Sequence, residues 1–96
     1  MIETRNVTGA QGARIRRDRY EAMRTALLAV IPKRKDGIPF RDLASAVEAR
    51  LPGGELPGGG SIMWYVTTVK LDLEARELIE RVPGSKPQRL RRASPQ

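Results

Sequence analysis

Ninety-six residues confine the chain to one small domain, in which only about 60–65% of the unfolded surface can be buried, so a deep substrate cavity is not expected. The sequence contains no Cys and no His, which excludes disulfides, thiol nucleophiles, zinc sites built on those ligands and imidazole acid–base chemistry. The longest apolar run, residues 26–31, is far too short to cross a bilayer, and the expectation is a soluble, cytoplasmic protein. The formal charge is +7 and its placement is uneven. Residues 1–19 hold five Arg against Glu3 and Asp18, residues 76–96 hold six basic side chains against Glu77 and Glu80, and the middle is balanced at seven of each sign. Charge segregated to two ends makes a directional field suited to a polyanion.

In chain order, residues 1–17 combine Gly9, Gly12, Thr4 and Thr8 with few large apolar groups, and are expected to form a basic, flexible arm. The domain is expected over residues 18–92, with residues 93–96 as a tail. Asp18, followed by Glu21, predicts a capped helix start, and Tyr20, Met23, Leu27 and Val30 recur at helical spacing until Pro32 stops the element. The turn 33–37 is basic and reads as a solvated loop. Residues 38–40 supply a very short edge strand that tolerates Pro39. Leu43, Val47 and Leu51 step by four and predict a second helix over 41–51. The joint that follows, residues 52–60, has nine residues of which five are Gly, so local sequence leaves the angle to the next helix open. It lacks the Gly-Lys-Ser/Thr ending of a phosphate cradle.

Ser61 reads as the N-cap of a third helix. Ile62, Val66, Val69 and Leu73 recur at four, three and four, which makes one buried stripe. The opposite face is then Trp64, Thr67, Thr68, Leu71 and Ala75, flanked by Asp72 and Glu74. Leu78 and Ile79 end the helix, residues 80–82 turn extended, Pro83-Gly84-Ser85-Lys86-Pro87 is turn chemistry, and residues 88–92 can pair back as a second strand.

Over residues 18–92, the third helix with its Leu-Glu-Ala-Arg-Glu-Leu-Ile ending and the basic hairpin resemble the winged helix-turn-helix superfamily. The chain is most similar to a small family of uncharacterised bacterial winged-helix proteins with Trp ahead of a Val-Lys-Leu-Asp-Leu-Glu-Ala-Arg run. The resemblance implies a mainly α fold with a small β hairpin, in the order helix, strand, helix, helix, strand, strand. Glu77 stands where that signature usually carries Gly, a residue to which the left-handed conformation costs nothing.

The resemblance also implies DNA binding and a role in transcription regulation. The residues expected to contact phosphate are Arg14, Arg16 and Arg17 in the arm and Lys86, Arg89, Arg91 and Arg92 in the hairpin, with Thr67 and Thr68 as weaker candidates on the third helix. That helix offers no Arg or Asn for base edges. The alternative is a protein-interaction or dimerisation module in which Trp64 and Leu71 mark the contact, and packing in the core is a third reading for Trp64. An enzyme is not expected, since Ser45, Ser61, Ser85 and Ser94 have no His to activate them. No metal, cofactor, small-molecule substrate or membrane is implied, and DNA is favoured over RNA.

Overall fold

The computed structural model describes residues 2–4 and 14–93. The strands are β1 (Ile2–Glu3), β2 (Arg14–Ile15), β3 (Ile38–Pro39), β4 (Ile79–Arg81) and β5 (Arg89–Arg92); the helices are α1 (Arg17–Val30), α2 (Leu43–Glu48) and α3 (Ile62–Ala75). The order is therefore β1-β2-α1-β3-α2-α3-β4-β5, which corrects the expected helix-first order. The expectation missed a two-stranded antiparallel sheet ahead of α1, in which Ile2 lies opposite Ile15 and Glu3 opposite Arg14. Its physical basis is apolar: Ile15 is buried in the main core and Ile2 packs against it. The expected arm over 1–17 is thus placed at both described ends. Residues 5–13 and 94–96, with the rest of that arm and most of the expected tail, lie outside the described residues.

The N-cap of α1 is Arg16, two residues ahead of the expected cap Asp18, and it makes no side-chain capping bond. Asp18 instead sits in the first turn, where its carboxylate accepts from the Arg16 guanidinium at 2.6 Å and from the Arg19 amide at 2.8 Å. Those bonds, the Arg16 one foremost, hold its pKa below the usual carboxylate value. Tyr20, Met23 and Leu27 are buried as the spacing predicts, Ala26 is buried beside them, Val30 is half-buried, and the extended Ile31 closes the helix ahead of Pro32. α2 is shorter than the expected 41–51. A 3-10 turn at Phe40–Asp42 leads into it, it buries Leu43 and Val47, its C-cap is Ala49, and Leu51 is buried beyond that cap.

The long joint between α2 and α3 is pinned at several points. Leu56 is buried. Arg19 donates to the carbonyls of Pro57 at 2.9 Å and Gly58 at 2.8 Å, and to the Tyr65 hydroxyl at 3.1 Å. One α1 side chain thereby ties the loop to the first turn of α3. Ser61 accepts from the Trp64 amide at 3.2 Å as the N-cap.

α1, α2 and α3 pack pairwise around Met23, Leu27, Leu43, Val47, Val66, Val69 and Leu73, each fully buried. Burying side chains of this size contributes about 1.5–3 kcal/mol apiece. The second sheet closes the core from one side with Ile79 and Leu90. Its order is β3-β5-β4, all antiparallel, so Pro39 lies on an edge strand, where its missing N–H is tolerated. β5 is central, with Leu90 opposite both Ile38 and Arg81.

Candidate nucleic-acid interface

Because β5 runs antiparallel to β3, the chain that enters β3 lies alongside the end of β5. This places the turn 33–37 against the most basic strand of the molecule. Arg91 donates to the Lys35 carbonyl at 3.0 Å, and Arg89 donates to the carbonyls of Asp36 at 2.6 Å and Gly37 at 3.3 Å. Arg92 donates through its guanidinium to the Leu28 carbonyl and through its amide to that of Pro32 at 2.8 Å. The close approach needs Gly37, whose φ is 64° and where a Cβ would stand 2.2 Å from the Leu90 oxygen. Ser85 fixes the other end, accepting from the Arg89 amide at 3.1 Å and donating to the Val82 carbonyl at 2.8 Å.

The turn 33–37 and the hairpin 80–92 carry eight basic side chains against Asp36 and Glu80, a net +6 of the chain's +7. Carbonyls are neutral, so the arginines that hold the turn keep their charge, and each guanidinium has five N–H donors of which only some are used. Lys33, Lys35 and Lys86 are exposed and make no ion pair among the described residues, whereas Arg34 pairs with Asp36 at 3.3 Å and Arg91 with Glu80 at 3.2 Å.

The structure brings Arg89 and Arg91 together against the turn 33–37, while Arg92, two positions after the core-facing Leu90, reaches the Leu28 carbonyl on α1, and Lys86 is exposed in the turn that leads into β5. Arg89, Arg91 and Arg92 are half-buried clasps as well as charges. Lys33, Arg34 and Lys35, read from sequence as a solvated loop, belong to the turn that Arg89 and Arg91 hold. Their basic run was visible in the sequence, but the strand that adopts them lies more than fifty residues away. The arm candidates are elsewhere: Arg14 is opposite Glu3 in the first sheet, Arg16 pairs with Asp18 at 2.6 Å, and Arg17 reaches Glu21 at 3.9 Å. No hydrogen bond or ion pair links these three to the hairpin among the described residues.

On α3 the expected flank of acidic groups is also corrected. Asp72 is fully buried on the side facing α1, where it accepts from the Tyr20 hydroxyl and from Arg76 Nε at 3.0 and 2.9 Å. Glu74 is buried on the sheet side, paired with Lys70 at 2.9 Å and Arg81 at 2.5 Å. Lys70 also lies 5.2 Å from the Phe40 ring. Burial pushes the Lys70 pKa down against the pull of Glu74, and it pushes Tyr20 up together with the bond to Asp72. The bond to Asp72 raises Arg76. Neither carboxylate faces outward to repel a phosphate. What faces outward is uncharged: Trp64 is 47% exposed and Met63 50%, Thr67 is exposed, and Thr68, Leu71 and Ala75 are half-buried. Core packing is therefore excluded for Trp64; its neighbour Tyr65 is the aromatic that goes under the loop, with the two rings edge to face at 4.8 Å.

The described residues contain no cluster of three or more acidic side chains arranged to hold a metal ion, and no helix among them is long and apolar enough to cross a membrane. The geometry defines a small helical domain with a basic patch where the turn 33–37 meets β5. The chain belongs to the DUF6958 family, a family of unknown function, which it matches over residues 1–90. No curated protein and no solved structure matches it.

Proposed function

We propose that this protein binds nucleic acid, duplex DNA in the first instance, through phosphate contacts made by the turn 33–37 and the β4–β5 hairpin. The observation that carries this reading is the gathering of +6 of charge on those two segments, held together by Arg89 and Arg91. Exposed lysines at 33, 35 and 86 can each displace a counterion from the duplex, and Arg89, Arg91 and Arg92 add field from behind. Thr67 and Thr68, on a helix face without Arg, Lys, Asn or Gln, contribute little base discrimination. The protein acts as a backbone-reading binder, not as a catalyst, and a part in transcription regulation follows only if a partner or a second DNA-reading element supplies the specificity.

The test is a salt titration of binding to a short duplex followed by fluorescence anisotropy. Neutralising about five phosphates gives a slope of log affinity against log salt of about −4.5. Replacing Lys33, Lys35 and Lys86 together with Ala flattens the slope by about 2.7, since each phosphate left without its lysine takes away about 0.9. These three make no ion pair within the described fold, so the variant keeps its stability. Absence of binding at low salt, or a slope unchanged in the variant, overturns the proposal.

A further inference from the structure

The outward strip of α3 has a property that the nucleic-acid reading does not use: it is self-complementary. Trp64, Thr68, Leu71 and Ala75 lie along one line of a 14-residue helix, about 21 Å long. If a second α3 is laid antiparallel across a two-fold axis at the midpoint of this strip, between Val69 and Lys70, Trp64 falls opposite the partner's Ala75 and Thr68 opposite the partner's Leu71. Each large side chain meets a small one. Small residues at such crossings allow axes to approach to about 8–10 Å, and an isologous contact requires this reciprocity of one surface with itself.

Charge points the same way. Two copies each carrying +7 repel one another unless they meet at an uncharged surface, and this strip has no ionisable side chain. The charged groups beside it are compensated inside each chain, Glu74 by Lys70 and Arg81, Asp72 by Arg76, so closing the contact buries no unpaired charge. Antiparallel helices also oppose their dipoles favourably. Met63 and Trp64, the exposed large apolar side chains among the described residues, supply an anchor of the kind that dominates interface energetics.

We propose that the outward strip of α3 is the contact between two copies of this chain, packed antiparallel with Trp64 seated over the partner's Ala75. Sedimentation equilibrium from low to high micromolar concentration is expected to show conversion to twice the chain mass, with Trp64 fluorescence moving to the blue over the same range. Trp64→Ala weakens association by about 30-fold for each aromatic removed. Thr68→Glu, which sets a carboxylate against the partner's Leu71, weakens it as well. Both changes are at solvent-facing positions, and circular dichroism of the dilute variants checks that each remains folded. Ala75→Cys reports the direction: in the antiparallel pair the two thiols are about 16 Å apart along the helices and form no disulfide, whereas parallel packing would cross-link them. A single chain mass at every concentration, unchanged association in both variants, or ready cross-linking of Ala75→Cys overturns the proposal. DNA binding by the Lys33, Lys35 and Lys86 surface stands or falls separately.

Discussion

The Leu78 amide donates to the Leu73 carbonyl at 3.0 Å across Glu77, a non-glycine residue held at φ 63°. The Glu77 amide meanwhile reaches the Glu74 carbonyl at 3.0 Å. This pair of bonds is a Schellman closure, and it satisfies two carbonyls that the end of α3 would otherwise leave open. Leu78 is drawn back onto the core, and the chain is released at once into β4. The helix therefore ends at Ala75, short of the ending at Leu78 and Ile79 expected from the sequence, and Glu77 bears the strain.

Replacing that residue by glycine should accordingly stabilise the domain. A left-handed non-glycine costs about 1–2 kcal/mol, while the added freedom of Gly in the unfolded chain takes back about 0.4–1 kcal/mol. Glu77→Gly is expected to gain about 0.5–1 kcal/mol in a urea melt. A loss of stability would show that the closure is not strained.

Glu74 holds a lysine out of water, so Glu74→Gln leaves Lys70 buried without its counter-charge and should destabilise by about 3 kcal/mol. The pH dependence carries the sign. Lys70 has a folded pKa below its ordinary 10.5, so between the two values the unfolded state binds more protons and stability rises with pH. Removing the carboxylate, which pulls the pKa up, widens that window downward. The variant should recover stability from pH 7 towards pH 9.5 relative to Lys70→Met/Glu74→Gln, compared by urea melts at each pH.

Tyr20 titrates in the opposite sense. Its folded pKa lies above the ordinary 10.0, so its contribution is complete below that value and disappears as pH rises through the folded one. Tyr20→Phe deletes a hydrogen bond to a charged acceptor, worth about 1.5–3 kcal/mol, and should abolish this alkaline loss. Parallel melts of the two proteins from neutral pH to above pH 10 check both parts.

Gly37 and Gly53 share a φ of 64° but differ in surroundings. Nothing lies within 4 Å of a Cβ at Gly53, whereas at Gly37 it would strike the Leu90 carbonyl. Gly53→Ala should cost about 1–2 kcal/mol of backbone strain alone, and Gly37→Ala about 1–3 kcal/mol more from the clash. Thermal midpoints of the two variants measure the difference. If Gly37→Ala remains folded, it should also bind DNA more weakly, because the turn 33–37 is pushed off β5.

Selectivity follows from the uncharged face of α3. Sequence-specific proteins prefer their sites by about 10³-fold or more, and this domain should show a smaller ratio in competition against random duplex. A sharp motif recovered by selection and abolished on replacing Thr67 and Thr68 would contradict this.

Local spacing along the chain was enough to determine the helical stripes of α1 and α3, the Ser61 cap, the turn at 83–87 and the restriction of Pro39 to an edge. Each depends on residues a few positions apart, whose geometry the backbone period imposes wherever the segment sits. The fate of the charged residues was not legible in this way. Asp72 and Glu74 look like an exposed acidic pair until Tyr20, fifty-two positions away, and Arg81 arrive to compensate them. Lys33 and Lys35 look like ordinary turn charges until the order β3-β5-β4 lays them against Arg89 and Arg91. The first sheet and the pinning of residues 52–60 by Arg19 are of the same kind. Only the tertiary structure decided these points, because whether a charge is buried depends on the segments packed over it: Lys70 and Arg76 are partners four residues away, but Tyr20 and Arg81 come from other elements, and periodicity carries no information about which distant segments meet.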